Sequence, residues 1–264
     1  MLLTNNILKN FWVWLALVIL FLVLIIMRVP ASFAAYAFTQ AVPGLSLAEV
    51  RGSLWKGSAG SATISVDRDV YSLGRFQWDI DVSNLITLKP CAEVAFAFQN
   101  QSANGYVCAQ DQRVQLEDFS LNIPAALLDL WFSTSLNGDV SLMVNKGVMV
   151  GERIEQLEGN FSWRDGAFHD GKDWIKVGSF GANLKSDNNG GVDMDVVDLG
   201  GPVFAELDIN YNPVARPNDE YGFLLNGQVG VREAAHPNLK PIVDNTVGAI
   251  GEQTEQGYRF EWQQ

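Results

Sequence analysis

The stretch Phe11–Met27, FWVWLALVILFLVLIIM, constrains this chain more than any other. It runs for seventeen residues without a charge, a Gly or a Pro. As an α-helix rising about 1.5 Å per residue, with Val29 and Pro30 extending its edge, it nearly spans a bilayer core of roughly 30 Å. Lys9 precedes it and Arg28 follows it. Trp12 and Trp14 sit near one end, where amphipathic rings favour the membrane interface. A secretory signal-peptide core is the alternative. Small residues follow at Ala31, Ser32, Ala34 and Ala35, so cleavage after Ala34 or Ala37 stays open. The run is longer than the usual core of about 7–15 residues, which favours an uncleaved transmembrane helix over residues 11–29. Residues 1–10 then form a short cytoplasmic tail, and the bulk of the chain lies on the other side of the membrane.

Beyond the anchor the chain is acidic. Of the 18 basic residues only Lys9 and Arg28 belong to the anchor's flanks, and all 30 acidic residues lie from Glu49 onward. The chain after Arg28 therefore sets 16 positive charges against 30 negative ones, a net of −14. Such a surface repels phosphate backbones and anionic headgroups, and excludes nucleic acid as a natural partner. The two cysteines, Cys91 and Cys108, both lie in this acidic part. An even count in a short segment suits a disulfide in an oxidising space, worth about 3 kcal/mol for a loop of this length. Two separate buried thiols are the alternative. The disulfide reading places the large part outside the cytoplasm.

Residues 30–43 read as a continuation of the helix or a short linker near the membrane surface, closed by Pro43-Gly44. From Leu45 the apolar period changes to two, and residues 44–264 read as one mainly β domain. The segment Val50–Ala59 predicts a strand, a kink and a strand. Phe76, Trp78, Ile80 and Val82 alternate with Gln77, Asp79 and Asp81, the cleanest half-buried strand of the chain. Val94–Phe98 and Tyr106–Gln110 predict strands on either side of a polar hairpin loop, Gln99–Gly105. Val114–Asn122 is a further strand, and Pro124–Phe132 predicts a short helix with Pro at its first position. Strands are then expected at Ser135–Val144, Gly147–Val150, Ile154–Arg164, Trp174–Leu184, Val192–Leu199, Val203–Pro213, Tyr221–Val231 and Gln256–Gln263. Pro237 and Pro241 limit Glu233–Ile250 to one helix. Four segments centred on Gly52, Gly138, Gly159 and Gly227 share an apolar–polar–Gly–polar–apolar form, the mark of bulges or close backbone approach in a long curved antiparallel sheet.

Catalytic patterns are missing. His169 and His236 have no metal-ligand spacing to another His or Cys. No nucleophile elbow occurs, and Gly178–Ser186 lacks the residue order of a phosphate loop. Asp187, Asp193, Asp195 and Asp198 resemble a Ca²⁺ loop only faintly, because the ligand order is wrong. No catalytic, metal or cofactor-binding residue is assigned. The tryptophans Trp55, Trp78, Trp131, Trp163, Trp174 and Trp262 are the positive feature, read either as core filler or as an apolar face for a partner strand or acyl chain.

The element Gly52-Ser53-Leu54-Trp55-Lys56-Gly57-Ser58-Ala59 resembles the opening of the periplasmic region in the type II secretion system protein N family. Trp78-Asp79-Ile80, Leu88-Lys89-Pro90, Leu136-Asn137-Gly138 and Leu157-Glu158-Gly159 match its later segments. Gly52, Leu54, Trp55, Gly57 and Trp78 carry the likeness. The resemblance implies a non-enzymatic accessory component of the inner membrane, single-pass with its bulk in the periplasm, that supports export of folded proteins across the outer membrane. Implied partners are inner-membrane and periplasmic secretion proteins and the outer-membrane secretin. A more distant similarity to AsmA-like periplasmic β proteins makes a lipid-binding or lipid-transfer module the alternative, and a periplasmic hydrolase is the least favoured reading.

Overall fold

The computed structural model describes residues 3–66, 69–85, 88–130, 134–187, 189–213, 222–233 and 235–263. Two helices lead the chain, α1 (Leu3–Met27) and α2 (Ala31–Ala41). Pro30, extended at φ −70° and ψ 153°, separates them, because proline cannot continue the hydrogen-bond ladder. Every residue of Phe11–Met27 is exposed. Among the described residues no helix is long and apolar enough to cross a membrane. The seventeen apolar positions of Phe11–Met27 reach about 26 Å, short of a core of roughly 30 Å.

The rest is one antiparallel sheet of fourteen strands. Its first half comprises β1 (Leu45–Gly52), β2 (Lys56–Val66), β3 (Asp69–Ile80), β4 (Cys91–Phe98), β5 (Gln101–Gln110), β6 (Arg113–Pro124) and β7 (Leu136–Val150). A helical turn α3 (Val82–Leu85) follows β3, and a 3-10 turn, Ala125–Leu130, follows β6. The second half comprises β8 (Arg153–His169), β9 (Trp174–Ser186), β10 (Val192–Gly200), β11 (Val203–Tyr211), β12 (Phe223–Val231), β13 (Glu252–Thr254) and β14 (Gly257–Gln263). A helix α4 (Leu239–Thr246) stands between β12 and β13. Spatial order follows sequence order, except that β14 lies between β12 and β13.

Register turns the period-two alternation into two chemically distinct faces. Starting at Val50 and Ala59, the cross-strand pairing leads through Phe76, Phe96, Ala103, Leu121, Leu142, Phe161, Ala182, Val196, Leu207 and Gly227 to Phe260. No polar side chain interrupts this row. The adjacent row one residue away is mostly polar, passing from Gln77 through Asn104, Asn160 and Asp195 to Asp208 and Glu261, with Ala95 and Met143 as its apolar members. A one-residue slip anywhere would exchange the faces, so the pattern itself fixes the register.

Each end of the apolar face is covered by a helix. Over β1–β3, Ala31, Ala34, Ala35 and Phe38 form one stripe of α2, the spacing of a single helical face. These small residues let the helix approach Ala59, Ala62, Phe76 and Trp78 closely. Phe38 meets the Phe76 ring edge-on at 5.2 Å, and Phe76 stacks on Phe96 at 4.5 Å. At the far end Leu239 and Val243, one turn apart on α4, pack with Ile175, Val203 and Ala205.

Several expected boundaries move. The segment expected as a linker or helix continuation holds the separate helix α2, docked on the sheet by its alanine stripe. The expected loop Gln99–Gly105 shrinks to a turn at Gln99, where φ is 51°, and Gln101–Gly105 joins β5. Ala103 and Gly105 alternate with Ser102 and Asn104, so the segment is a strand of small side chains. Val82 begins α3 instead of ending a strand, because Asp81 caps it. Pro124 closes β6 opposite Asp139, and the expected short helix follows it as the 3-10 turn Ala125–Leu130. Two expected strands fuse in β7 across a bulge between Val144 and Lys146, and β8 continues through Asp165-Gly166, where Asp165 adopts φ 52°. Trp131, Phe132 and Tyr221 lie outside the described residues.

Candidate functional site

The last carbonyls of a helix have no partner within it. At the end of α1 the Arg28 and Val29 N–H groups donate to the Ile25 and Ile26 carbonyls, and the sheet adds donors of its own. Trp55 donates its indole N–H to the Ile26 carbonyl at 3.0 Å, and the Leu54 N–H donates to the Val29 carbonyl at 2.8 Å. Pro30 and Ser53 form a β-bridge beside these bonds. The β1–β2 turn therefore grips the segment that leaves α1.

The turn is itself held from three sides. The Ser53 N–H donates to the Lys56 carbonyl at 2.9 Å, the Ile80 N–H to the Trp55 carbonyl at 2.6 Å, and the Trp78 indole N–H to the Leu54 carbonyl at 3.0 Å. Gly52 pairs with Gly57 at the mouth of the hairpin. A Cβ on Gly57 would overlap the Trp78 ring, and Gly52 adopts φ 101°. Thus Gly52, Leu54, Trp55, Gly57 and Trp78 come together in one lock, Leu54 through its backbone N–H and carbonyl. Trp78 is 2% exposed at its centre. Among the described residues the same device recurs once: the Trp163 indole N–H donates to the Asn137 carbonyl at 3.0 Å, with the ring against Gly138 and Gly166. At Gly138 the shared Gly-centred form places a tryptophan beside the central glycine, whereas Gly52 closely approaches the backbone of Lys56 and Gly57 and the tryptophan lies on Gly57.

Charge surrounds the lock without forming a reactive centre. Lys56 contacts Asp79 at 2.6 Å, and that hydrogen bond and charge raise the lysine's pKa. Asp81 accepts from the Ser83 hydroxyl at 2.6 Å, the Ser83 N–H at 2.9 Å, the Asn84 amide at 2.8 Å and the Tyr106 hydroxyl at 3.1 Å. The Ser83 bonds chiefly hold its carboxyl below the ordinary range. Burial, then the bond to Asp81, raises the Tyr106 hydroxyl. The Asp81 N–H donates to the Cys91 carbonyl at 2.9 Å. Cys91 and Cys108 stand directly opposite each other on β4 and β5 and form a disulfide, with Cα atoms 4.0 Å apart. The choice left open by the sequence is thereby decided.

The remaining sequence candidates serve local structure. The Nδ1 atoms of His169 and His236 accept from the backbone N–H groups of Gly171 and Asn238 at 3.1 and 3.2 Å. Asp187 accepts from the N–H groups of Asn189 and Gly191 at 2.7 and 2.6 Å, closing the β9–β10 turn. Burial pushes its carboxyl up, but these bonds outweigh it and hold the pKa below the ordinary value. Asp193 takes the Asn210 amide at 2.7 Å. Among the described residues no group of three or more His, Cys, Asp or Glu side chains is placed to hold a metal. A recess of about 610 Å³ beside α4 is lined by Phe204, Arg232, Lys240 and Tyr258. Its cations are already paired, Arg232 with Asp198 and Lys240 with Asp244, each at 2.7 Å.

The model of the family described as Type II secretion system (T2SS), protein N matches residues 43–260. The chain belongs to that family. The matched span begins just before β1 and ends within β14, so the family signature covers the sheet and its lock. Membership makes the protein a component of the type II secretion system. No curated protein and no solved structure matches the chain. The comparisons lend no support to a lipid-transfer module.

The contact between Trp55 and the end of α1 was not foreseen from sequence, nor was the docking of α2. The alanine spacing of Ala31, Ala34 and Ala35 carried a signal for the second.

Proposed function

We propose that this protein is a non-catalytic accessory component of the type II secretion system that holds a docking sheet at the periplasmic face of the inner membrane. The family match over residues 43–260 carries this reading. Residues 1–10 form the cytoplasmic tail and residues 11–29 the membrane span, continued by a short connection over residues 30–43 to the periplasmic domain, 44–264. The apolar run Phe11–Met27 of α1, extended at its edge by Val29 and Pro30, supports this reading, with Lys9 and Arg28 flanking it. Phe33 and Tyr36, exposed on the outer side of α2, stand just beyond the anchor, where aromatic residues favour the interface. The work is done by surfaces. These receive inner-membrane and periplasmic secretion proteins and the outer-membrane secretin, and support export of folded proteins across the outer membrane.

The test is fractionation of native cells followed by cross-linking and affinity purification from membranes. The full chain is expected in the inner membrane after alkaline extraction, its sheet open to protease from the periplasmic side, together with other secretion components. Recovery as a periplasmic protein beginning after Ala34 or Ala37 would refute the anchor. Recovery from membranes without secretion components would refute the docking role.

A further inference from the structure

The two edges of the sheet are treated differently. The β1 edge is interrupted by Glu49 at φ 56° and bridged at its end by Pro30, and α2 lies alongside. Bulges and covered ends are how proteins keep edge strands from pairing with other chains. At the opposite edge β13 pairs with Gly257–Arg259 only. Among the described residues no strand lies outside Glu261, Trp262 and Gln263, while their inner side pairs with Leu224–Asn226 of β12. This segment has no Lys, no Pro and no left-handed residue to blunt it.

The side chains along this edge are sorted by face. Trp262 is 37% exposed and ends an apolar row made of Leu225, Ile209, Met194 and Leu184. Its ring meets Phe223 at 5.6 Å. Glu261, on the other face, ends the row of Asn226, Asp208 and Asp195. That row carries three carboxylates and no cation. Directly opposed like charges weaken a sheet and opposite charges strengthen it.

We propose that the free edge of β14 is a docking site for an extended segment of a partner protein in which apolar and basic residues alternate. Backbone pairing on Glu261–Gln263 extends the sheet by one strand. The partner's apolar residues continue the row that ends at Trp262, and its Lys or Arg lies opposite Glu261. A second copy of this chain is the poorer occupant, because it would join two acidic rows edge to edge. The site is independent of the secretion reading, and a failure of either leaves the other standing.

The experiment uses the full chain in detergent with three labelled peptides: alternating valine and lysine, alternating valine and glutamate, and the lysine peptide scrambled to lose its alternation. The first is expected to bind roughly ten-fold tighter than the other two, the effect of exchanging one attractive for one repulsive cross-strand pair. It is also expected to slow hydrogen exchange at residues 261–263. Glu261→Lys is expected to reverse the preference between the lysine and glutamate peptides while leaving the thermal midpoint nearly unchanged. Equal binding of the scrambled peptide, protection elsewhere in the sheet, an unaltered preference in Glu261→Lys, or saturation of the edge by self-association in light scattering would each overturn the proposal.

Discussion

The two ends of the sheet are built on opposite plans. Around β1–β3 the core is aromatic: Phe38, Phe76, Trp78 and Phe96 interlock under a helix whose buried stripe is alanine. Gly57 lies against the Trp78 ring, and Ser53, Leu54 and Trp55 of the β1–β2 turn are all hydrogen-bonded. Around β9–β14 the core is aliphatic, with Ile175, Val203, Leu239 and Val243. The helix there is secured at its rim by Lys240, Asp244 and Tyr258, and the outer strand is left open. The difference teaches where rigidity is needed. The end joined to α1 is locked by hydrogen bonds, whereas among the described residues the far end leaves Glu261–Gln263 without an outer neighbour.

Substitutions break this comparison in order of size. Trp78→Ala is expected to cost about 3–5 kcal/mol, since it empties a fully buried site and orphans the Leu54 carbonyl. It should also speed exchange of the Leu54 N–H. Ile175→Ala is expected to cost about 2–5 kcal/mol while leaving that N–H protected. Equal effects of both on Leu54 exchange in native conditions would erase the distinction between the ends. Removing the disulfide by Cys91→Ser with Cys108→Ser is expected to cost about 3 kcal/mol in the chain-entropy view, measured by denaturant titration against the oxidised protein. Gly57→Ala should cost about 1–3 kcal/mol, because the new methyl group and the Trp78 ring claim one volume. A thermal midpoint as high as the parent's would contradict the lock.

Smaller effects sharpen the other end. Asp195 and Asp208 stand directly opposite each other on β10 and β11. Asp208→Lys is therefore expected to stabilise the protein by about 0.2–1 kcal/mol, seen as a higher midpoint at low salt that fades as salt is added. The smallest effect is acidic. Asp81 and Asp244 both have pKa values held below the ordinary 3.8, by the Ser83 bonds and by the Lys240 bond respectively. A carboxylate with a lowered folded pKa stabilises above its unfolded value, and this is lost as pH falls through the folded one. Melting followed downward from pH 5 should show the loss setting in near 3.8 and continuing below it, and less steeply in Asp81→Asn and Asp244→Asn. Parallel curves for all three proteins would remove these groups from the account.

Much of this architecture is legible in the residues. Period-two alternation locates nearly every strand, and the alternation of Phe76, Trp78 and Ile80 correctly marks a strand with one buried face. The resemblance read from the Gly52-Ser53-Leu54-Trp55-Lys56-Gly57 element agrees with the family match over residues 43–260. What escapes is non-local. Whether Asp165-Gly166 ends a strand or bulges within it depends on the neighbouring β9, which local sequence does not encode. The polar stretch Gln101–Gly105 looks like loop because small and polar side chains hide a strand that is held by backbone pairing. The bond from Trp55 to Ile26 links residues 29 apart in sequence and leaves no periodic trace.

The central claim is that this sheet serves protein export from the membrane surface. Deleting the chain in its native host and measuring where secreted proteins accumulate tests it most directly. The account predicts folded exoproteins trapped in the periplasm, with export restored by the full chain and restored poorly by Trp78→Ala. Normal levels in the medium after deletion would contradict it.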